Sequence, residues 1–278
     1  MKKYFVLVFA ACSFMSAAFC QVKMPASSPG QTIKQEVGMG TIEIIYSRPG
    51  ARGRKVFGDL VPMDKLWRTG ANEATKIIFS DAVEIGGKKL DSGTYVLYTI
   101  PHDESWEVIV NRGVANWGTE GYKEKEDVVR FKVPVTKQKS AVETFTIQFS
   151  DIRTERCSLN LLWEKKSIAI PINVNVKDKL KQQIDAAMLT DKKPYWEAAQ
   201  YYNEYDRNLS KALDNISKAV QENPKAFWIL LYKAKIQQEA GDVAGAKQTS
   251  KASLALAREA GNEDYVRMNE KLQKQLRQ

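Results

Sequence analysis

The sequence predicts an all-β sandwich, or a barrel-like variant of one, over residues 31–176, followed by an all-α helical domain over residues 177–278. Three observations carry this. Short runs that alternate polar and apolar residues, separated by turn residues, fill the first region. At Lys177 the apolar spacing changes to that of a helix. The chain has 278 residues, 44% hydrophobic and 27% charged, which excludes full disorder and collagen-like repeats and suits two separate cores.

The first twenty residues read as an address. Lys2 and Lys3 precede an apolar run at 4–11 and a looser one at 14–19, and Ala18 and Cys20 are small residues before a cut at Gln21. This is the pattern of a secretory signal peptide, so the expected location is periplasmic or secreted, with no transmembrane segment after cleavage. A retained anchor fits less well, because Ser13 and Ser16 interrupt the run. Lipid attachment also fits less well: the stretch before Cys12 is short, and bulky Phe19 precedes Cys20. Cleavage leaves Cys157 as the one cysteine, expected as a strand thiol without a disulfide. Three cysteines and one histidine exclude a Cys/His zinc cluster. The 42 basic and 33 acidic side chains give +9, spread over both halves, so nucleic acid is not an expected partner.

Residues 21–30, with Pro25, Ser27, Ser28, Pro29 and Gly30, read as a polar leader. Strands are expected at 41–44, 76–80, 94–100, 106–110, 128–135, 143–149, 159–163 and 168–174. Residues 83–85 and 88–90 flank Gly86-Gly87, the signature of a two-residue hairpin turn. Phe145, Ile147 and Phe149 alternate with Thr146 and Gln148, which implies one buried and one wet face. Such strands, with no helical pattern between them, form antiparallel sheets packed on each other.

In the second region Leu180, Ile184, Ala187 and Met188 fall at helical spacing. Asp191 with Pro194 reads as a cap and first turn, Asn208 and Asp242 as caps, Pro224 as the start of a helix to Ala240, and Gly241 and Gly261 as terminators before a last helix near 263–277. Trp196, Ala212, Ala219 and Pro224, with Ala246 lying 34 positions after Ala212, resemble tetratricopeptide repeats; Leu230 and Ser250 depart from that pattern. The fold class is therefore an all-β sandwich followed by an all-α tetratricopeptide-like helical domain. Two repeats bury little apolar surface, so Trp196, Tyr201, Phe227 and Trp228 are expected to pack on one another and on the β-domain or a partner.

Between residues 46 and 74 the strand pattern fails. Residues 48–68 hold Arg48, Arg52, Arg54, Lys55, Lys65 and Arg68 against Asp59 and Asp64. Guanidiniums on glycine-containing turns suit bidentate capture of a carboxylate, phosphate or sulfate, and Trp67 offers a stacking face for a sugar. The opposing reading has Arg48, Arg54 and Arg68 paired with Glu73 and other acids to brace the loop. Candidate ligand-binding residues are Arg48, Arg52, Arg54, Trp67, Arg68, Asn72, Glu73 and Trp117, with Trp67 and Trp117 flanking one cleft.

The motifs Tyr46-Ser47-Arg48-Pro49-Gly50, Gly53-Arg54, Phe57-Gly58, Leu60-Val61-Pro62, Trp67-Arg68-Thr69-Gly70-Ala71-Asn72-Glu73-Ala74-Thr75, Gly93-Thr94-Tyr95, Asn116-Trp117-Gly118 and Trp163-Glu164 resemble domain of unknown function 2911 over roughly residues 28–172. The resemblance implies export from a Gram-negative cell and no particular chemistry.

The leading expectation is thus an exported non-catalytic binding or scaffold protein. Its β-domain would hold a small anionic or glycan ligand, or a peptide, and its repeats a protein partner. No cofactor, metal or catalytic residue is expected: calcium loops, glycine-rich phosphate loops and dinucleotide fingerprints are absent, and His102 follows Pro101 in a polar turn, where an exposed histidine is the expectation rather than a triad member. The rivals are an envelope-polymer hydrolase using Glu73 with Asp127 or Glu43, and a purely structural envelope protein.

Overall fold

The computed structural model describes residues 24–277; the signal peptide expected at 1–20 lies outside the described residues. Ten strands form two antiparallel sheets. β1 (Gly30–Val37), β2 (Gly40–Ser47), β3 (Lys76–Phe79), β6 (Gly93–Pro101), β7 (Ser105–Asn111) and β8 (Asp127–Pro134) make a six-stranded sheet in the order β1-β2-β3-β6-β7-β8. β4 (Val83–Ile85), β5 (Lys88–Leu90), β9 (Thr136–Arg153) and β10 (Arg156–Val174) make a four-stranded one in the order β5-β4-β10-β9. Their apolar faces meet in one core, to which Ile44, Ile77, Leu97, Val108, Leu159 and Ile170 each contribute a buried side chain.

Three features of the sheets depart from the sequence expectation. β1 begins at Gly30, inside the expected leader. Only Ile33 and Val37 mark it as apolar, because it is an edge strand paired with β2 alone. β10 is one strand where two were expected. Its polar interruption at 164–167 is a bulge, with register shifts on both sides of Glu164 and Glu164 at φ +48°. β9 likewise runs well beyond 143–149.

The Gly86-Gly87 turn closes the β4–β5 hairpin with both residues at positive φ, +57° and +74°. A Cβ on Gly86 would also lie 2.3 Å from Cδ1 of Phe131. Cys157 is buried in β10, and burial pushes its thiol up to about 11, so it stays protonated at neutral pH.

Six helices follow: α1 (Lys177–Ala187), α2 (Tyr195–Glu204), α3 (Leu209–Glu222), α4 (Phe227–Glu239), α5 (Val243–Glu259) and α6 (Glu263–Gln275). Asn208 and Asp242 cap α3 and α5 by accepting from the Lys211 and Gly245 amides, as the sequence predicts. Gly241 and Gly261 end their helices at positive φ. Pro224 instead lies in the loop before α4, and Pro194 precedes α2 while Asp191 forms no cap. Ala212 and Ala246 are both fully buried, consistent with two stacked helix pairs, α2–α3 and α4–α5. The four aromatics do not form a single cluster. Trp196 packs on Tyr232, Tyr201 on Tyr202 and Tyr205, and Phe227 on Trp228 and Tyr265. Lys179 in α1 pairs with Asp81 of the β-domain at 2.6 Å.

Gly86→Ala is expected to lose about 3 kcal/mol, because the substitution meets both a left-handed backbone and the Phe131 ring. Denaturant unfolding followed by near-ultraviolet circular dichroism measures this, and a change under 1 kcal/mol would mean the turn is not constrained as described.

Candidate functional site

The segment between β2 and β3 is fixed to both sheets. On the four-stranded side, Ala51 N–H donates to Glu143 O at 2.8 Å and Phe145 N–H to Pro49 O at 2.9 Å. On the six-stranded side, Trp67 and Thr99 exchange backbone hydrogen bonds of 2.7 and 3.0 Å. The Trp67 ring then enters the core, nearly parallel to Trp163 and edge-on to Trp106 and Phe145, with its Nε1–H donating to Gly70 O. Glu164 at the β10 bulge accepts from Val56 N–H at 3.0 Å, which ties down the middle of the segment. Arg52, Asp64, Thr69 and Asn72 all hold positive φ. For β-branched Thr69 this is strained, and hydrogen bonds from Thr75 to its carbonyl and between its hydroxyl and Thr99 hold it there.

The arginines of this segment are held by carbonyl and hydroxyl oxygens. Arg48 donates from Nε to Phe145 O at 3.1 Å and from Nη2 to Thr146 Oγ1 at 2.7 Å. Arg52 donates to Ser27 O, and Arg54 to Ala51 O and Gly50 O. Arg68 donates from Nη1 to Asn72 O at 2.8 Å, and its guanidinium lies against Gly118 so closely that a Cβ there would be 2.7 Å from Nη1. Among the described residues, none of the six basic side chains at 48–68 forms an ion pair, and Nε and Nη2 of Arg68 have no protein partner. The bracing is real, but it comes from uncharged carbonyl and hydroxyl oxygens and leaves the charge in place.

A cavity of about 510 Å³ opens here, bordered by Arg54, Trp67, Arg68, Asn72, Ser28 and Thr119 among others. A second, of about 300 Å³, lies across Asn72 and is bordered by Ser47, Glu73, Lys76 and Trp117. The expected single cleft between Trp67 and Trp117 is therefore two cavities. Trp67 is buried in the core, Trp117 is 58% exposed, and Asn72 forms the wall between them. Arg48 and Arg52 do not border the first cavity. Glu73 pairs with Lys76 at 3.2 Å on the second.

The leader is part of the site, which the sequence reading missed. Ser27 O takes Arg52, Ser28 O takes Asn72 Nδ2, and Pro29 O takes the Arg48 amide. The available signal was the Ser-Ser-Pro-Gly run itself, a turn capable of offering consecutive carbonyls. The loop at 112–126 closes the other side. Tyr98 OH donates to Gly118 O and is approached by Asn116 Nδ2. Burial raises the Tyr98 phenol, opposed by the Asn116 hydrogen bond and the Arg68 charge.

Of the acids in the hydrolase reading, Glu73 borders the second cavity, while Asp127 and Glu43 border neither cavity. Asp127 is held by Arg130, Tyr122 and Asn111 at 2.8–2.9 Å, and Glu43 lies on the outer face of β2. His102 pairs with Asp64. Among the described residues no group of three or more His, Cys, Asp or Glu is placed to hold a metal, and no helix is long and apolar enough to cross a membrane.

The family model described as Protein of unknown function (DUF2911) matches residues 28–172. The chain belongs to this family. Among curated proteins and among solved structures, nothing matches the chain. The DUF2911 match starts at Ser28, whose carbonyl reaches Asn72, and ends in β10 ahead of the helices.

Arg48→Ala is expected to destabilise the β-domain by about 2 kcal/mol, since it strips a charged donor from two part-buried acceptors. Arg54→Ala, at an exposed position, is expected to cost under about 1 kcal/mol. Equal losses in guanidinium unfolding would contradict this division between a buried brace and an exposed cavity wall.

Proposed function

We propose that this DUF2911 protein is an exported, non-catalytic binding protein. Its β-domain holds a small anion, such as a carboxylate, phosphate or sulfate, between Arg54 and Arg68, and its helical domain carries a protein partner. One observation carries the reading: two guanidiniums border a 510 Å³ cavity with N–H groups left over and no carboxylate neutralising them. An incoming oxyanion would complete charge-assisted hydrogen bonds that the protein leaves open. Such bonds contribute about 1.5–3 kcal/mol each, which after the cost of association suits a Kd of roughly 10 μM to 1 mM. The positive start and apolar run at 2–19 support export, and the exposed Trp228 and Met268 support a docking role for the helices.

The test is a thermal-shift screen of residues 21–278 against carboxylates, sugar acids, phosphate esters and sulfate, on wild type and on the Arg54→Ala, Arg68→Ala double variant. A ligand near saturation is expected to raise the wild-type Tm by about 3–5 °C and leave the double variant unmoved. If nothing stabilises wild type more than the double variant, the cavity is not an anion site.

A further inference from the structure

We propose that the ligand is an acidic oligosaccharide, with its charged sugar at Arg54 and Arg68 and the adjoining neutral sugar stacked on Trp117; this rests on the anion reading of the first cavity. Trp117 supplies the sugar contact. Its ring is 58% exposed and makes no aromatic contact among the described residues, yet the residues around it are rigidly placed. Gly118 is pressed against Arg68 at φ +63°, its carbonyl accepts from Tyr98, and Asn116 reaches the same phenol. A fixed backbone thus presents a wet indole beside the 300 Å³ cavity.

The rest of that cavity is chemically unlike the first. Gly30, Ile45 and Ala74 make its wall more apolar than that of the first, Glu73 and Lys76 neutralise each other, and Ser47, Asn72 and the Glu73–Lys76 pair add donors and acceptors. Such a lining suits an uncharged ring that bears hydroxyl groups, and its paired Lys76 offers no free cation to a second anion. A pyranose matches this combination: its C–H face lies on an aromatic ring while its hydroxyls take hydrogen bonds at the rim. The cavities abut at Asn72, and the segments 28–30 and 117–119 border both. A ligand that fills them crosses Asn72 with an anionic unit on one side and an uncharged ring on the other, which is the pattern of an acidic glycan.

The experiment uses an array of hexuronate-containing, sialylated and sulfated oligosaccharides with their neutral counterparts, then calorimetry on the best ligand and on its acidic monosaccharide alone. Wild type is expected to bind the acidic oligosaccharide about tenfold more tightly than the acidic monosaccharide. Trp117→Ala is expected to erase that gain while leaving the monosaccharide affinity within about twofold. Arg68→Ala is expected to weaken both. Equal affinity for monosaccharide and oligosaccharide, or an oligosaccharide affinity untouched by Trp117→Ala, overturns the glycan proposal while an Arg68-dependent anion site stands. Binding of sulfate or phosphate with no acidic glycan retained on the array overturns it too, and binding of no anion at all removes both readings.

Discussion

A guanidinium held by a backbone carbonyl is positioned without being neutralised, and that constraint organises the β-domain around residues 48–75. A carboxylate partner would cancel the charge, whereas Gly50, Ala51, Asn72 and Phe145 offer only carbonyl dipoles. Everything that fixes the segment serves to keep those carbonyls in place. Trp67 anchors it between Trp106 and Trp163, the Glu164 bulge fastens Val56, and Thr69 is held in a conformation it would not choose alone. The order of the segment comes from the core beneath it, while its polar surface is left facing a cavity.

Two further stretches complete that surface, and both come from outside the segment. Ser27–Pro29 supplies three carbonyls, and the loop at 112–126 supplies Gly118 as a flat rest for Arg68. A side chain at Gly118 would push the Arg68 guanidinium out of its place, and the positive φ of +63° there favours glycine. This divides the chain: the sheets hold, the 48–75 segment carries charge, and the two flanking stretches border the cavities.

The sheet-then-helix order, the Gly86-Gly87 hairpin and the caps at Asn208 and Asp242 were legible because each rests on local chemistry: period two, positive φ, or a side chain reaching three residues along. β1 was not legible, because an edge strand with two apolar residues resembles a polar linker. The continuity of β10 was hidden by a bulge whose purpose is tertiary, namely to turn Glu164 toward Val56. At the site, the basic excess and Trp67 were visible in composition, but the partition into two cavities was not. It depends on Trp67 facing inward and Trp117 outward, which the burial of the whole domain decides.

The most direct test reads the arginine side chains themselves. Nitrogen-15 NMR of the Nε–H groups reports which guanidiniums are engaged, before and during titration with sulfate or a hexuronate. In the free protein Arg48 Nε–H, bonded to Phe145 O, is expected to exchange slowly with water, and Arg68 Nε–H quickly. On titration the Arg68 signal is expected to shift and become protected while that of Arg48 stays fixed. An Arg68 Nε–H already as protected as that of Arg48, or unmoved at every anion concentration, would contradict the account.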